Sequence, residues 1–301
     1  MITKAFIANC FRQISLPASM LKTFLLQSIS RPYSHSYKSA SDDGKYPYAA
    51  LLAAIDLKRF SVFRRHHNYS HILEHVSARR GHEYLEILTE EYGLSPLDVM
   101  ALIRPLQHIG SPRLKWVKGL PSPVSTTALR YLKVALEIKD LFANNSSNSL
   151  GHVVEIGCGY GGQALILDKV VKIDSYTFID LWQVNLLIRR FIEDSEFSCQ
   201  YTTSTLREHK WDRSSFDLVI SNYAYSELPI ALQLKFMEKI ISKARRGYMT
   251  MNSGKDGGYG EIKNMSQAQL MTYIPNCIFK EEKPLTKPQA YVAQWNNSVQ
   301  L

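Results

Sequence analysis

Cysteine is scarce in this chain of 301 residues, with four at positions 10, 158, 199 and 277. They stand too far apart for any CxxC metal or redox pair and are too few for a disulfide framework, so a reducing, cytoplasmic setting is expected. No window approaches the ~18 uncharged apolar residues that a membrane-spanning helix requires, so integral insertion is not expected. An excess of either charge is missing from most of the chain: residues 81–301 carry 24 Lys/Arg against 23 Asp/Glu, whereas residues 1–80 carry 12 against 4. A protein that grips nucleic acid through its main domain needs positive charge there, because phosphate neutralisation supplies most of the affinity, so no nucleic-acid partner is expected. What remains is ordinary globular composition, 45% hydrophobic and 21% charged, which excludes a fibre or a disordered chain.

Residues 1–41 hold no acid at all. Two apolar runs at helical spacing, Phe6 to Ile14 and Leu21 to Ile29, are divided by Pro17 and interleaved with Lys4, Arg12, Lys22 and Arg31. Residues 1–45 therefore read as a basic arm and linker. Three readings stay open for it: helices covering a core, peripheral contact with an anionic membrane through residues 1–41, or a mitochondrial targeting segment. Residues 46–145 read as a helical unit, with helical patterns over 49–60, 69–79, 82–92 and 96–104 and Ser95-Pro96 as a start signal. His67, His71 and His75 fall four apart, so one helix would put them on one face, but no carboxylate or cysteine pattern completes a site and no metal is expected.

From residue 146 to 301 the pattern changes to short apolar runs alternating with amphipathic stretches. Strands are expected over 152–157, 175–180, 197–203, 216–222, 245–251 and 290–296, and helices over 162–171, 182–194, 229–244 and 266–274. This order implies an α/β fold, a mainly parallel Rossmann-like sheet with helices on both faces. Such sheets bind ligands beyond the C-terminal ends of their strands, among the loops that begin near Gly157, Asp180, Thr203, Asn222 and Asn252.

The first of these loops reads Val153-Val154-Glu155-Ile156-Gly157-Cys158-Gly159-Tyr160-Gly161-Gly162. Gly157, Gly159 and Gly162 satisfy GxGxxG, so an NAD(P)-dependent oxidoreductase has to be weighed. Glu155 opposes it: a carboxylate two residues before the first glycine would repel a pyrophosphate and suits a ligand carrying an ammonium group. S-adenosylmethionine carries one. The next strand ends at Asp180, 23 residues after Gly157, where a carboxylate can accept hydrogen bonds from both ribose hydroxyls or simply cap the helix from Trp182. The glycine loop and two carboxylates together point to a class I methyltransferase that uses S-adenosyl-L-methionine. Glu155, Gly157, Gly159, Gly161, Asp180 and Asn222 form the expected donor-binding set. A nucleic-acid methyltransferase shares the donor fold, but its amino-directed members use an Asn-Pro-Pro-aromatic turn where this chain has Asn222-Tyr223-Ala224-Tyr225.

Three longer segments carry a narrower resemblance: Ser125-Thr126-Thr127-Ala128-Leu129-Arg130-Tyr131, Val154 through Gln163, and Phe216 through Leu228. With Arg246-Gly247-Tyr248, Asn252 and Glu282-Lys283-Pro284-Leu285-Thr286, they resemble the sugar O-methyltransferase family from about Phe60 to Trp295. The resemblance implies a class I fold, S-adenosylmethionine as donor and a sugar or glycan hydroxyl as acceptor. One departure stands at Gln107-His108, where the family pattern has an Asn-Asp pair before Gly-x-Pro. A sugar hydroxyl is a poor nucleophile, so a base is needed, and Glu227 on the loop after the strand 216–222 is the expected one. Its alternative is a start signal for the following helix. Tyr223, Tyr225, Asn252 and Arg130 are the expected acceptor contacts, with tyrosine rings stacked on a pyranose and Arg130 meeting an anionic group or acting as a strut. The glycine-rich loop Asn252–Gly260 reads as a mobile flap or a plain connection.

Overall fold

In the computed structural model, residues 44–143, 149–207, 216–258 and 260–297 are described. The basic arm, residues 1–41, lies outside them. A single helix is expected over 49–60, but two form, α1 (Lys45–Ile55) and α2 (Leu57–Phe60). Asp56 is extended between them, and its carboxylate accepts the Arg59 N–H at 2.9 Å. Helix α3 (His67–Leu73) ends short of residue 79 because Glu74 leaves helical geometry and pairs with Arg64. His75 is therefore off the helix, and the three histidines do not share a helical face. Ser77 caps α4 (Ala78–Glu90), and a reciprocal Ser95–Asp98 capping box starts α5 (Pro96–Ile103), as Ser95-Pro96 predicts. Helix α6 (Thr126–Phe142) is buried almost all round and forms the centre of the N-terminal layer.

Seven strands follow: β1 (His152–Ile156), β2 (Ser175–Ile179), β3 (Tyr201–Ser204), β4 (Phe216–Asn222), β5 (Ala244–Met251), β6 (Ile278–Glu281) and β7 (Tyr291–Asn296). They pair in the order β3-β2-β1-β4-β5-β7-β6, all parallel except β7, which runs antiparallel to both neighbours. Helices α7 (Gly162–Val170), α8 (Trp182–Glu193), α9 (Ile230–Lys239) and α10 (Gln267–Tyr273) cover the faces. This is the class I methyltransferase fold preceded by a helical region. Strand β3 starts at Tyr201 rather than residue 197, since the Phe197 ring turns in against Tyr176, Phe178 and Tyr201. Strand β6 is unanticipated; it has four residues, mostly exposed, at the sheet edge.

Alternation along the strands divides the core. Val153, Leu218, Ile220 and Tyr248 pack with α6 and the N-terminal helices, while Val154, Ile156, Val219 and Met249 face α9 and α10. The strand order reverses between β1 and β4, and the loops after both open at the same end. Among the described residues no helix is long and apolar enough to cross a membrane.

Arg246 on β5 ties the two layers together. Its guanidinium donates to the carbonyls of Asp217 at 3.0 Å, Phe142 at 2.7 Å and Leu150 at 2.6 Å. Neighbouring Arg245 is exposed and pairs only with Asp217 at 3.2 Å. Arg246→Met should cost about 3 kcal/mol or more, because an acceptor left unpaired in the interior costs about 1–3 kcal/mol. Arg245→Met should cost below about 1 kcal/mol. Urea denaturation checks both, and equal midpoints for the two variants would contradict this view of Arg246.

Candidate active site

Strand β1 delivers the chain into a tight turn in which Gly157 has φ +73° and Gly159 φ +59°. A Cβ on Gly157 would stand 2.1 Å from the Ala224 Cβ, and one on Gly159 3.0 Å from Leu73. The turn is thus held between the β4 loop and the C-terminal end of α3, and larger residues cannot replace either glycine without moving a wall. Beside it lies a cavity of about 1030 Å³. That is the upper end of the usual range for a ligand pocket, and it leaves space for two molecules side by side.

Nine of the expected site residues line this cavity: Glu155, Gly157, Gly159, Asp180, Asn222, Tyr223, Glu227, Arg130 and Asn252. Two do not. Gly161 has φ +90° and sits behind the turn as the residue preceding α7, where it shapes the backbone. Tyr225 is fully buried on the opposite side of its loop, with its hydroxyl donating to the Gln233 carbonyl at 3.2 Å. The ring fills the core beneath α9, so the stacking contact expected of Tyr225 is not made. Two residues apart, Tyr223 and Tyr225 would share a side in a continued strand, but β4 ends at Asn222, and the turn through Tyr223 at φ +66° sends the two rings to opposite sides.

Asp180 does not cap α8, which begins after Leu181 without a side-chain cap. One carboxylate oxygen accepts the N–H groups of Cys158 at 2.7 Å and Gly159 at 3.2 Å, and the other accepts Leu181 N–H at 2.7 Å. Burial pushes its pKa up to about 6 against the pull of those three bonds. Glu155 is buried more deeply in effect: desolvation raises its pKa to about 8, although the Tyr176 hydroxyl donates to it at 2.9 Å and lowers it in part. Nearby Asp180 adds to the rise. Both carboxyls gain by meeting positive charge or hydrogen-bond donors. Asn222 accepts from Thr250 Oγ1 at 3.1 Å through Oδ1, while its buried Nδ2 has no partner among the described residues. An orphaned donor in a cavity wall fits a ligand acceptor.

On the far rim Asn252 Nδ2 donates to Glu227 at 2.9 Å, and the Ser226 hydroxyl donates to Asn252 Oδ1 at 2.5 Å. Glu227 therefore ends a one-turn 3-10 helix, Tyr225–Glu227, and faces the cavity instead of starting α9, whose first residue is Ile230. Tyr223 is a non-glycine residue at φ +66°, a strained conformation held by its N–H to the Thr250 carbonyl at 2.7 Å and by its hydroxyl to Glu282. Within the expected flap, Asn252 is the only described residue that lines the cavity. Two of the others are tied back: Gly257 lies against the Asn264 backbone, and the Lys255 carbonyl accepts the Gln267 N–H at 2.8 Å. Neither Gln107 nor His108 reaches the cavity; Gln107 accepts the Ser125 N–H at 2.9 Å instead.

Sequence reading missed two walls. Leu206, Leu232 and Phe236 make an apolar end suited to a flat ring, and Leu73, His75 and Tyr84 bring the N-terminal helices over the glycine turn. Spacing signals gave no hint of the first, since those residues come from a loop and from a helix whose inward face is otherwise ordinary core.

The fold, the glycine turn and the paired carboxylates define a class I S-adenosylmethionine-dependent methyltransferase domain. In agreement, residues 154–246 match the family model of a methyltransferase domain. No curated protein matches the chain. Among solved structures, magnesium protoporphyrin IX methyltransferase from Synechocystis with bound S-adenosylmethionine is 11% identical, with 56% of this chain and 79% of that chain covered at a TM-score of 0.41. A S-adenosylmethionine-dependent methyltransferase from Clostridium acetobutylicum is 9% identical, with 56% and 91% covered at 0.40. An O-methyltransferase family protein from Burkholderia thailandensis is 8% identical, with 58% and 61% covered at 0.41.

The Glu155 carboxyl makes stability depend on pH. Its folded pKa of about 8 lies above the ordinary 4.5, so folding favours the protonated form. The associated stability is full below the ordinary value and is lost as pH rises through about 8. Glu155→Gln keeps a neutral group there, so its stability relative to the parent should rise by a few kcal/mol between about pH 5 and pH 8. Denaturation across that range checks it, and a constant difference would mean that the carboxyl ionises as readily in the folded protein as in the unfolded chain.

Proposed function

We propose that this methyltransferase acts on a sugar hydroxyl, with Glu227 as the base. The observation that carries the reading is the Glu227–Asn252–Ser226 hydrogen-bond chain on the rim of the cavity that the glycine turn and Asp180 also line. The resemblance to the sugar O-methyltransferase family supports the acceptor class.

The residues present fit the donor. Asp180 would take the ribose hydroxyls, Glu155 and the glycine turn the ammonium end, Nδ2 of Asn222 an acceptor atom, and the apolar end at Leu206 and Phe236 the adenine ring. Bound there, S-adenosylmethionine supplies a methyl group already activated by its sulfonium. The protein's work is then alignment, exclusion of water and removal of one proton. Glu227, oriented by the Asn252 amide and lining the cavity, is placed to accept the proton of an acceptor hydroxyl as the oxygen attacks. Tyr223, locked by Glu282, offers a ring face for the apolar side of a pyranose.

Two substitutions separate the roles. Asp180→Ala should weaken donor binding by about 1.5–3 kcal/mol, the range for hydrogen bonds to a charged group, as read by calorimetry. Glu227→Gln should leave that binding intact and lower turnover by roughly 10²–10⁴. The assay is transfer of labelled methyl to a panel of nucleotide sugars, lipid-linked glycans and RNA. Labelling of RNA alone would replace the sugar reading, and a Glu227→Gln enzyme with normal turnover would remove the base.

A further inference from the structure

The described part of the chain buries three arginines, and two of them are saturated. Arg64 pairs with Glu74 and donates to backbone carbonyls, and Arg246 spends its donors on three carbonyls. Arg130 differs. It is 7% exposed, lines the cavity and meets no carboxylate or carbonyl among the described residues. Its guanidinium carbon stands 5.4 Å from the ring centres of both Tyr131 and Tyr223, and it shares one hydrogen bond with the Tyr131 side chain. Most of its five N–H donors are left for whatever enters the cavity.

The neighbourhood is positive as well. His75 lines the same wall, and after its own burial the charges of Arg130 and Lys287 do most to hold its pKa below the ordinary value. A guanidinium kept this dry without an acid is costly unless a ligand supplies the anion. With tyrosine rings as its nearest aromatic neighbours and the cavity beside it, the guanidinium is a group that can take a carboxylate or phosphate in two parallel hydrogen bonds.

We propose that Arg130, with His75 and Lys287 beside it, is an anion subsite of this cavity that takes a carboxylate or phosphate group of a bound ligand. This deepens the reading of the cavity as a donor and acceptor site and rests on it. Two sources share the chemistry: the carboxylate at the amino-acid end of the donor, or an acidic group on the acceptor, which would narrow it to a uronic acid or a sugar phosphate.

Calorimetry on the full chain distinguishes them. The probes are S-adenosylhomocysteine, its decarboxylated analogue that keeps the amine, and, with S-adenosylhomocysteine saturating, glucose, glucuronate and glucose 1-phosphate. If the donor supplies the anion, the parent protein prefers S-adenosylhomocysteine over the decarboxylated analogue by tenfold or more. Arg130→Met removes that preference and Arg130→Lys restores part of it. If the acceptor supplies it, the two adenosyl ligands bind alike in every variant, and the parent prefers a charged sugar over glucose by tenfold or more, a preference that Arg130→Met loses. A parent protein with neither preference overturns the proposal even if Arg130→Met fails to fold, and so does an Arg130→Met protein that keeps the preference. Failure of all adenosyl ligands to bind would instead strike the donor reading, and the charged sugars alone would then judge the subsite.

Discussion

The ion pair of Arg64 and Glu74, 2.6 Å apart and shut away from solvent, fixes the shape of the cavity. Arg64 also donates to the Leu106 carbonyl at 2.5 Å and to Ser125 Oγ at 2.9 Å, which fastens three N-terminal segments to one point. Glu74 in turn accepts from the Tyr160 hydroxyl at 3.1 Å, and the guanidinium carbon lies 4.9 Å from the centre of that ring. Tyr160 belongs to the glycine turn. The pair therefore joins the helical region to the turn, and loss of one partner would leave a buried charge at about 3–5 kcal/mol. Leu73, His75 and Arg130 hold their places over the turn because this joint does not slide.

Charge within the cavity is arranged by position. At the mouth of β1 and β2 stand two carboxyls, Glu155 and Asp180, whose pKa values burial has raised to about 8 and about 6. On the wall built by α6 stands the dry guanidinium of Arg130, which meets no acid among the described residues. Each is costly alone, and each is relieved by a ligand of opposite sign. A zwitterionic donor with an acceptor beside it matches such a division better than a pyrophosphate, which would meet the Glu155 carboxyl first.

Much of this was legible in the residues. The alternation of short apolar runs and amphipathic stretches gives six of the strands and a mainly parallel sheet, because period-2 and period-3.6 burial leave distinct marks, but it does not reveal that β7 runs antiparallel. Glu155, the glycine turn and Asp180 are recognisable because strand ends in such sheets are where ligands bind. Strand β6 left no mark, since an exposed four-residue edge strand needs no alternation. His75 looked like the third member of a helical face, but Glu74 breaks the helix to satisfy Arg64, a partner ten residues away that spacing does not reveal. Tyr225 was misplaced for a related reason: the turn after β4 rotates its ring into the core, while the strained backbone of Tyr223 turns that neighbour outward.

The central claim is that one cavity holds the donor along the glycine turn and leaves room for the acceptor between Glu227 and Tyr223. A crystal structure with S-adenosylhomocysteine tests it most directly. The account predicts the ribose at Asp180, the adenine between Leu206 and Phe236, the homocysteine end beside Gly157 and Asn222, and open space in front of Glu227. A ligand bound outside this cavity, or one whose homocysteine end fills the space before Glu227, would contradict it.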